Sequence, residues 1–308
     1  MIRRRFAFSL ALVPLLGALT FAGDAEATAE YRKAMGFWKT DAKQCQEHLE
    51  KALAQTDPKA IGDSKVLRSN ITLILGQFHQ AKTGDFDQAE KYYKAVLEEN
   101  HGAKDPKTKN LKAQALLNLG TIWYSEKKNI NEAVTKYKDA HQTYPTALTA
   151  DVLSQILYRQ ARDPKTQARE KKLKTALKAA REAILIDKKD ANHASTPATR
   201  SKYRLQLVLV LTAMGLKDEA ESEWKQVEQD KLGDTALYQL AQLAALRGEG
   251  IEAVGKLLRQ AIDPKLRPDA RARNQLRWFI RTEGDFAKFT EDASWKDLVT
   301  DEQEKGTK

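Results

Sequence analysis

The sequence predicts an all-α chain, a solenoid of six to seven helical hairpins stacked in series and closed by a C-terminal cap. Three observations carry that expectation. The 308 residues include only 15 Gly and 8 Pro, too few for an all-β fold, which turns every few residues. A small residue followed four positions later by a large apolar one recurs at a nearly constant distance. A tight corner, usually marked by Gly, precedes most copies of that pair.

The recurring pairs are Cys45/Leu49, Ala89/Tyr93, Ala133/Tyr137, Ala220/Trp224 and Ala253/Leu257, with Ala176/Ala180 a weaker member. Three positions further on stand Ala52, Val96, Ala140, Ala183 and Val227; the last copy departs, with Gln260 there and Ala261 beside it. The first members are 44, 44, 43, 44 and 33 residues apart. Steps of four and three place these side chains on one face of a helix. The small members let a neighbouring helix approach closely, and the large ones fill the space beside them. A helix with one apolar stripe is not stable alone, so successive hairpins must stack.

A partner helix precedes each of these. Its clearest forms carry Leu75-Gly76 and Leu116-x-x-Leu119-Gly120-x-x-Trp123, and later forms carry Leu207 with Leu211 and Leu240 with Ala244. Gly84-Asp85-Phe86, Lys128-Asn129, Gly215 and Gly248 supply the corners between helices. Pro58, Pro145 and Pro264 stop the second helices, since proline cannot continue one. Gly284-Asp285-Phe286 echoes the first corner, but only a short segment, 294–299, follows it. Trp295 and Leu298 are therefore expected to fold over the end of the stack, with 301–308 a frayed polar tail.

These residues resemble the tetratricopeptide repeat (TPR) family, whose pattern runs W-x2-L-G-x2-Y, A-x3-F and P. Leu116 to Trp123 with Ala133, Tyr137 and Pro145 match it best, and Leu75, Gly76, Gly84, Ala89 and Tyr93 match nearly as well. The resemblance covers roughly residues 29–290. The period is about ten residues longer than the family unit, which keeps HEAT-type repeats open as an alternative. The extra residues are expected in loops at 101–109 and 163–172. The resemblance implies a right-handed superhelix whose first helices line a concave groove for an extended peptide or a partner helix.

Residues 1–27 read as a secretory signal peptide, followed by the solenoid at 28–300. Arg3-Arg4-Arg5 precede an apolar run from Phe6 to Gly23, and Ala25-Glu26-Ala27 offers a small-x-small cleavage site. Cleavage implies a periplasmic or otherwise exported protein; retention of the run would make an inner-membrane anchor. The net charge is +10, with Lys and Arg interspersed among Asp and Glu along most helices, the pattern of a solvated helical surface. Such a charge favours acidic partners, while export argues against nucleic acid. Cys45 is the only cysteine, so no intramolecular disulfide forms; it takes the place of the repeat's alanine and is expected to be buried.

No catalytic constellation stands out, and neither enzyme activity nor a cofactor or metal is expected. His48, His79, His101, His141 and His193 are scattered, and His79 takes a core aromatic place. Glu221-Ser222-Glu223-Trp224 looks like the Glu-Ser start of lytic transglycosylases, but Trp224 belongs to the repeat and the companion motif is absent. The expectation is a non-catalytic scaffold in an envelope assembly, secretion or cell-wall complex. An accessory or degenerate cell-wall enzyme is the alternative, favoured by an acid of raised pKa in a cleft. Asn118, Arg159, Lys202, Gln206, Gln239 and Gln242 lie between apolar positions of first helices and are expected to project partly into the groove, making it polar and mildly basic.

Overall fold

The computed structural model describes residues 25–163, 165–189, 195–229 and 232–302. Most of the segment expected to be a signal peptide (residues 1–24 of 1–27), His193 and the last six residues lie outside them. Among the described residues the chain is all-α, and adjacent helices pack in pairs. It divides into two compact units, Met1–Tyr144 and Pro145–Lys308.

The first unit contains three hairpins: α1 (Ala25–Phe37) with α2 (Ala42–Ala54), α3 (Gly62–Phe78) with α4 (Phe86–Glu99), and α5 (Pro106–Ser125) with α6 (Ile130–Thr143). The side chains of Asp41, Asp85, Asp105 and Asn129 accept a hydrogen bond from a backbone N–H of the helix each precedes. These bonds satisfy donors that a helix start leaves orphaned. The predicted stripes are buried: Cys45, Leu49 and Ala52; Ala89, Tyr93 and Val96; Ala133, Tyr137 and Ala140. Glycine explains how closely the hairpins approach. A Cβ on Gly76 would lie 2.5 Å from the Tyr93 ring, and one on Gly120 would lie 2.5 Å from the Tyr137 ring. In these two hairpins the large residue of the second helix thus sits where the first helix has no side chain. At the corners Gly84 and Lys128 take positive φ, 74° and 55°. Lys128 does so although its Cβ makes that conformation unfavourable.

The second unit pairs α7 (Ala147–Arg162) with α8 (Arg169–Lys189), α9 (Pro197–Ala213) with α10 (Lys217–Trp224), and α11 (Leu237–Leu246) with α12 (Ile251–Ala261). Then come α13 (Ala270–Thr282) and the short α14 (Lys296–Val299). Gly215 and Gly248 form the corners with φ of 77° and 79°. Trp295 and Leu298 are buried as expected, the Trp295 ring centroid lying 5.1 Å from that of Phe289.

Three local expectations need correction. In α12 the buried set is Val254, Leu258 and Ala261, while Ala253 is exposed. The four-then-three spacing is intact one residue later, and it places Ala261 where Gln260 had seemed anomalous. The extra residues of the long period do not stay in loops: helix α5 starts at Pro106 and α8 at Arg169. For α5 the cause is local, because Asp105 caps it and Pro106 is preset for a first helical turn. Finally, the first two tail residues are tied down. Asp301 pairs with Arg281 at 2.8 Å, and Glu302 with Arg277 at 2.9 Å.

Candidate functional site

In the second unit, α9 packs against both α7 and α11, so these first helices share a face. A chain of polar side chains crosses it. Gln239 Nε2 donates to Gln206 Oε1 at 3.3 Å, and Gln206 Nε2 donates to Ser154 Oγ at 3.2 Å. Further along, Gln242 Nε2 donates to Glu283 Oε2 at 2.6 Å and approaches Asp285 Oδ2 at 3.3 Å. Arg159 Nε lies 3.1 Å from Glu283 Oε1, and the Tyr158 hydroxyl donates to Asp285 Oδ2 at 2.6 Å. Arg162 Nε also pairs with Asp285. The Arg159 guanidinium stands over Phe279 at 4.7 Å and Tyr238 at 5.8 Å, so aromatic faces wall it in.

Charge is balanced here: Arg159 and Arg162 against Glu283 and Asp285. Burial nevertheless pushes the Glu283 carboxyl up to about 7, against the pull of Arg159 and with Asp285 adding to the rise. Burial also raises the Tyr158 hydroxyl well above its ordinary value. At the other end of the face, burial holds Asp151 at about 7 and lowers Lys202, each partly offset by the other's charge. Gln155 Nε2 donates to Asp151 Oδ2 at 2.7 Å.

The expected open groove residues are therefore mostly enclosed. Gln206 and Gln242 are buried, and the Arg159 side chain is only 10% exposed in its ion pair. Lys202 and Gln239 remain half-buried. Asn118, on α5 of the first unit, is buried with neither amide atom hydrogen-bonded. An arrangement of that kind costs about 1–3 kcal/mol. The correction has a simple cause: sequence spacing places a residue on a face but not what arrives to meet it. For Arg159 and Gln242 the arriving groups are Glu283 and Asp285, more than a hundred residues along the chain from α7.

Tyr158, Arg162, Glu283 and Asp285 were not expected at the site. The clue was the corner echo. In Thr83-Gly84-Asp85-Phe86, Asp85 accepts the Gln88 N–H and caps α4. In Glu283-Gly284-Asp285-Phe286 an acid replaces the threonine, and Asp285 faces side chains of α7 instead. The histidines are dispersed. His79 packs on Tyr92 at 5.5 Å, His48 bonds Glu30 at 2.6 Å, and His101 is exposed. Glu221 and Glu223 lie near Arg247 and Arg204 in ion pairs. Cys45 is buried, and burial lifts its thiol to about 11. Among the described residues no group of three or more His, Cys, Asp or Glu could hold a metal ion. Nor is any described helix long and apolar enough to cross a membrane.

No family model matches the chain, and no curated protein does. Among solved structures, BtubC (BKLC) from P. vanneervenii is similar at 14% identity and a TM-score of 0.46, over 68% of this chain and 91% of that one. A likeness that distant carries no argument about function.

Proposed function

We propose that this chain is an exported, non-catalytic scaffold of the tetratricopeptide type that holds protein or peptide partners on its first-helix faces. The interlock of Gly76 with Tyr93 and Gly120 with Tyr137 carries the reading. It gives the leucine–glycine and alanine–tyrosine motifs their physical purpose, close approach of the two helices of a hairpin. The apolar stripes are consumed between helices, so what first helices have left to offer a partner is polar: Lys202 and Gln239 are half-buried in the second unit. Export rests on the Arg3–Arg5 cluster, the apolar run and the Ala-x-Ala site. If that run is retained, the same scaffold is anchored in the inner membrane.

One observation favours the enzymatic alternative, namely two acids, Asp151 and Glu283, held near 7. Their environment argues the other way. Both are buried, Glu283 is engaged by Arg159 and Gln242, and burial rather than a cleft raises them. The test is affinity capture from envelope extract by the full chain, followed by mass spectrometry. A defined partner retained in stoichiometric amount and weakened by added salt is expected. Turnover of cell-wall glycan by the purified chain, with no partner retained, would contradict the proposal.

A further inference from the structure

The acidic corner after α13 behaves as a ligand of the helices it touches. Glu283-Gly284-Asp285 presents two carboxylates with one residue between them. Each meets a different arginine of α7, Glu283 with Arg159 and Asp285 with Arg162. Each also receives a neutral donor: Gln242 for Glu283 and Tyr158 for Asp285. All four receiving side chains lie on α7 and α11, both of which pack against α9. Both bound carboxylates come from one short segment that reaches the site from beyond α13.

Stability alone is a poor reason for such an arrangement. Two buried ion pairs often contribute no more than well-packed apolar side chains, because desolvation offsets their attraction. The same unit closes its end the apolar way, with Trp295, Phe286 and Phe289 packed together. The fit at the acidic corner is also imperfect. Glu283 Oε1 lies 3.1 Å from Arg159 Nε, yet the adjacent Asp285 charge works against ionisation of Glu283. An occupant held this way is exchangeable in principle for one that places its carboxylates better or brings further contacts.

We infer that Tyr158, Arg159, Arg162 and Gln242 form a docking site for an acidic peptide segment bearing two carboxylates with one residue between them, and that Glu283-Gly284-Asp285 occupies it in cis until such a segment displaces it. This rests on the scaffold reading and names the partner's chemistry. Because the cis segment is tethered, its effective concentration is high. The apparent affinity of a competitor scales with the fraction of molecules whose site is free.

The test uses the full-length chain and a fluorescein-labelled synthetic peptide with the sequence of residues 280–290. Binding is measured for wild type and for the Glu283→Gln/Asp285→Asn variant, whose site has lost its charged occupant. The variant should bind the peptide about tenfold tighter than wild type, as expected when a competing occupant is removed. Adding Arg162→Gln, or using a peptide with Gln and Asn in place of its two acids, should abolish the gain. Equal binding by wild type and variant, or undiminished binding of the neutral peptide, overturns the inference. If the variant loses its helical circular dichroism, amide exchange of the wild-type chain decides. Excess peptide should then speed exchange across 283–299, and unchanged exchange overturns the inference. A partner retained in the capture assay would stand even if the peptide failed, so the two conclusions fail separately.

Discussion

Gly76→Ala should destabilise the protein, although alanine is the better helix former by about 1 kcal/mol. The new Cβ would lie 2.5 Å from Cε1 and 2.8 Å from Cδ1 of Tyr93. Ordinary contact begins near 3.4 Å, so the ring must retreat by roughly 1 Å in a close-packed interior. Tyr93 cannot do so freely: it is fully buried and its hydroxyl donates to Gln80 Oε1 at 2.7 Å. Overpacking of this kind costs about 1–3 kcal/mol. With the gain in propensity subtracted, the net loss is up to about 2 kcal/mol. Gly36→Ala is the internal control, because nothing lies within 4 Å of its added Cβ and its φ is not positive. It should be neutral or stabilise by about 0.5–1 kcal/mol. Urea denaturation followed by circular dichroism reads both, as shifts in midpoint at constant slope. In the Gly76→Ala/Tyr93→Leu double variant the two costs should not add, since removing the ring removes the collision. A Gly76→Ala protein stabilised by about 1 kcal/mol, as helix propensity alone would give, would refute the close approach of α3 and α4.

Other expectations concern the buried thiol, the buried acids and the chain start. Cys45→Ala should be tolerated and Cys45→Leu should cost about 1–3 kcal/mol through overpacking; native thiol labelling should be slow, and rapid labelling would show that the first stripe is misplaced. Asp151 and Glu283 have folded pKa values raised to about 7 from 3.8 and 4.5. Between those values the folded state binds more protons than the unfolded one, so stability is lost as pH rises towards 7 and beyond. Melting temperature should accordingly fall between pH 5 and pH 8, and Glu283→Gln should flatten the fall; a rise over that range would contradict the burial of both acids. Intact-mass measurement of the chain from the envelope fraction should give an N-terminus at Thr28, whereas recovery of Met1 in a membrane-bound form would mean an anchor. The expected cleavage point falls in the first turn of α1, where Ala27 is buried.

The fold was largely legible because each hairpin is specified locally. Cys45, Ala89, Ala133, Ala176 and Ala220 recur at steady intervals, and every one is buried on a helix. The corners were legible for the same reason, since Gly84, Gly215 and Gly248 mark positions where a left-handed residue must stand. In the last hairpin the phase slipped by one. Ala253 and Val254 are both small enough to read as the stripe residue, and only packing chooses between them. The site was legible in half. Arg159, Gln206 and Gln242 were placed on the shared face by helical spacing, but Arg159 and Gln242 are met there by Glu283 and Asp285, whose arrival is a long-range event. An acid in place of Thr83's counterpart was the visible trace, and one substitution in a corner does not announce what it will meet.

The most direct test of the scaffold reading is site-specific photo-crosslinking of the full chain in its native cellular setting. A photoreactive residue at Gln239, half-buried on first helix α11, is compared with one at Lys178, exposed on second helix α8. The account predicts a discrete crosslinked protein partner from position 239 and none from position 178. A partner crosslinked from position 178 alone, or no partner from either, would contradict a first-helix binding face.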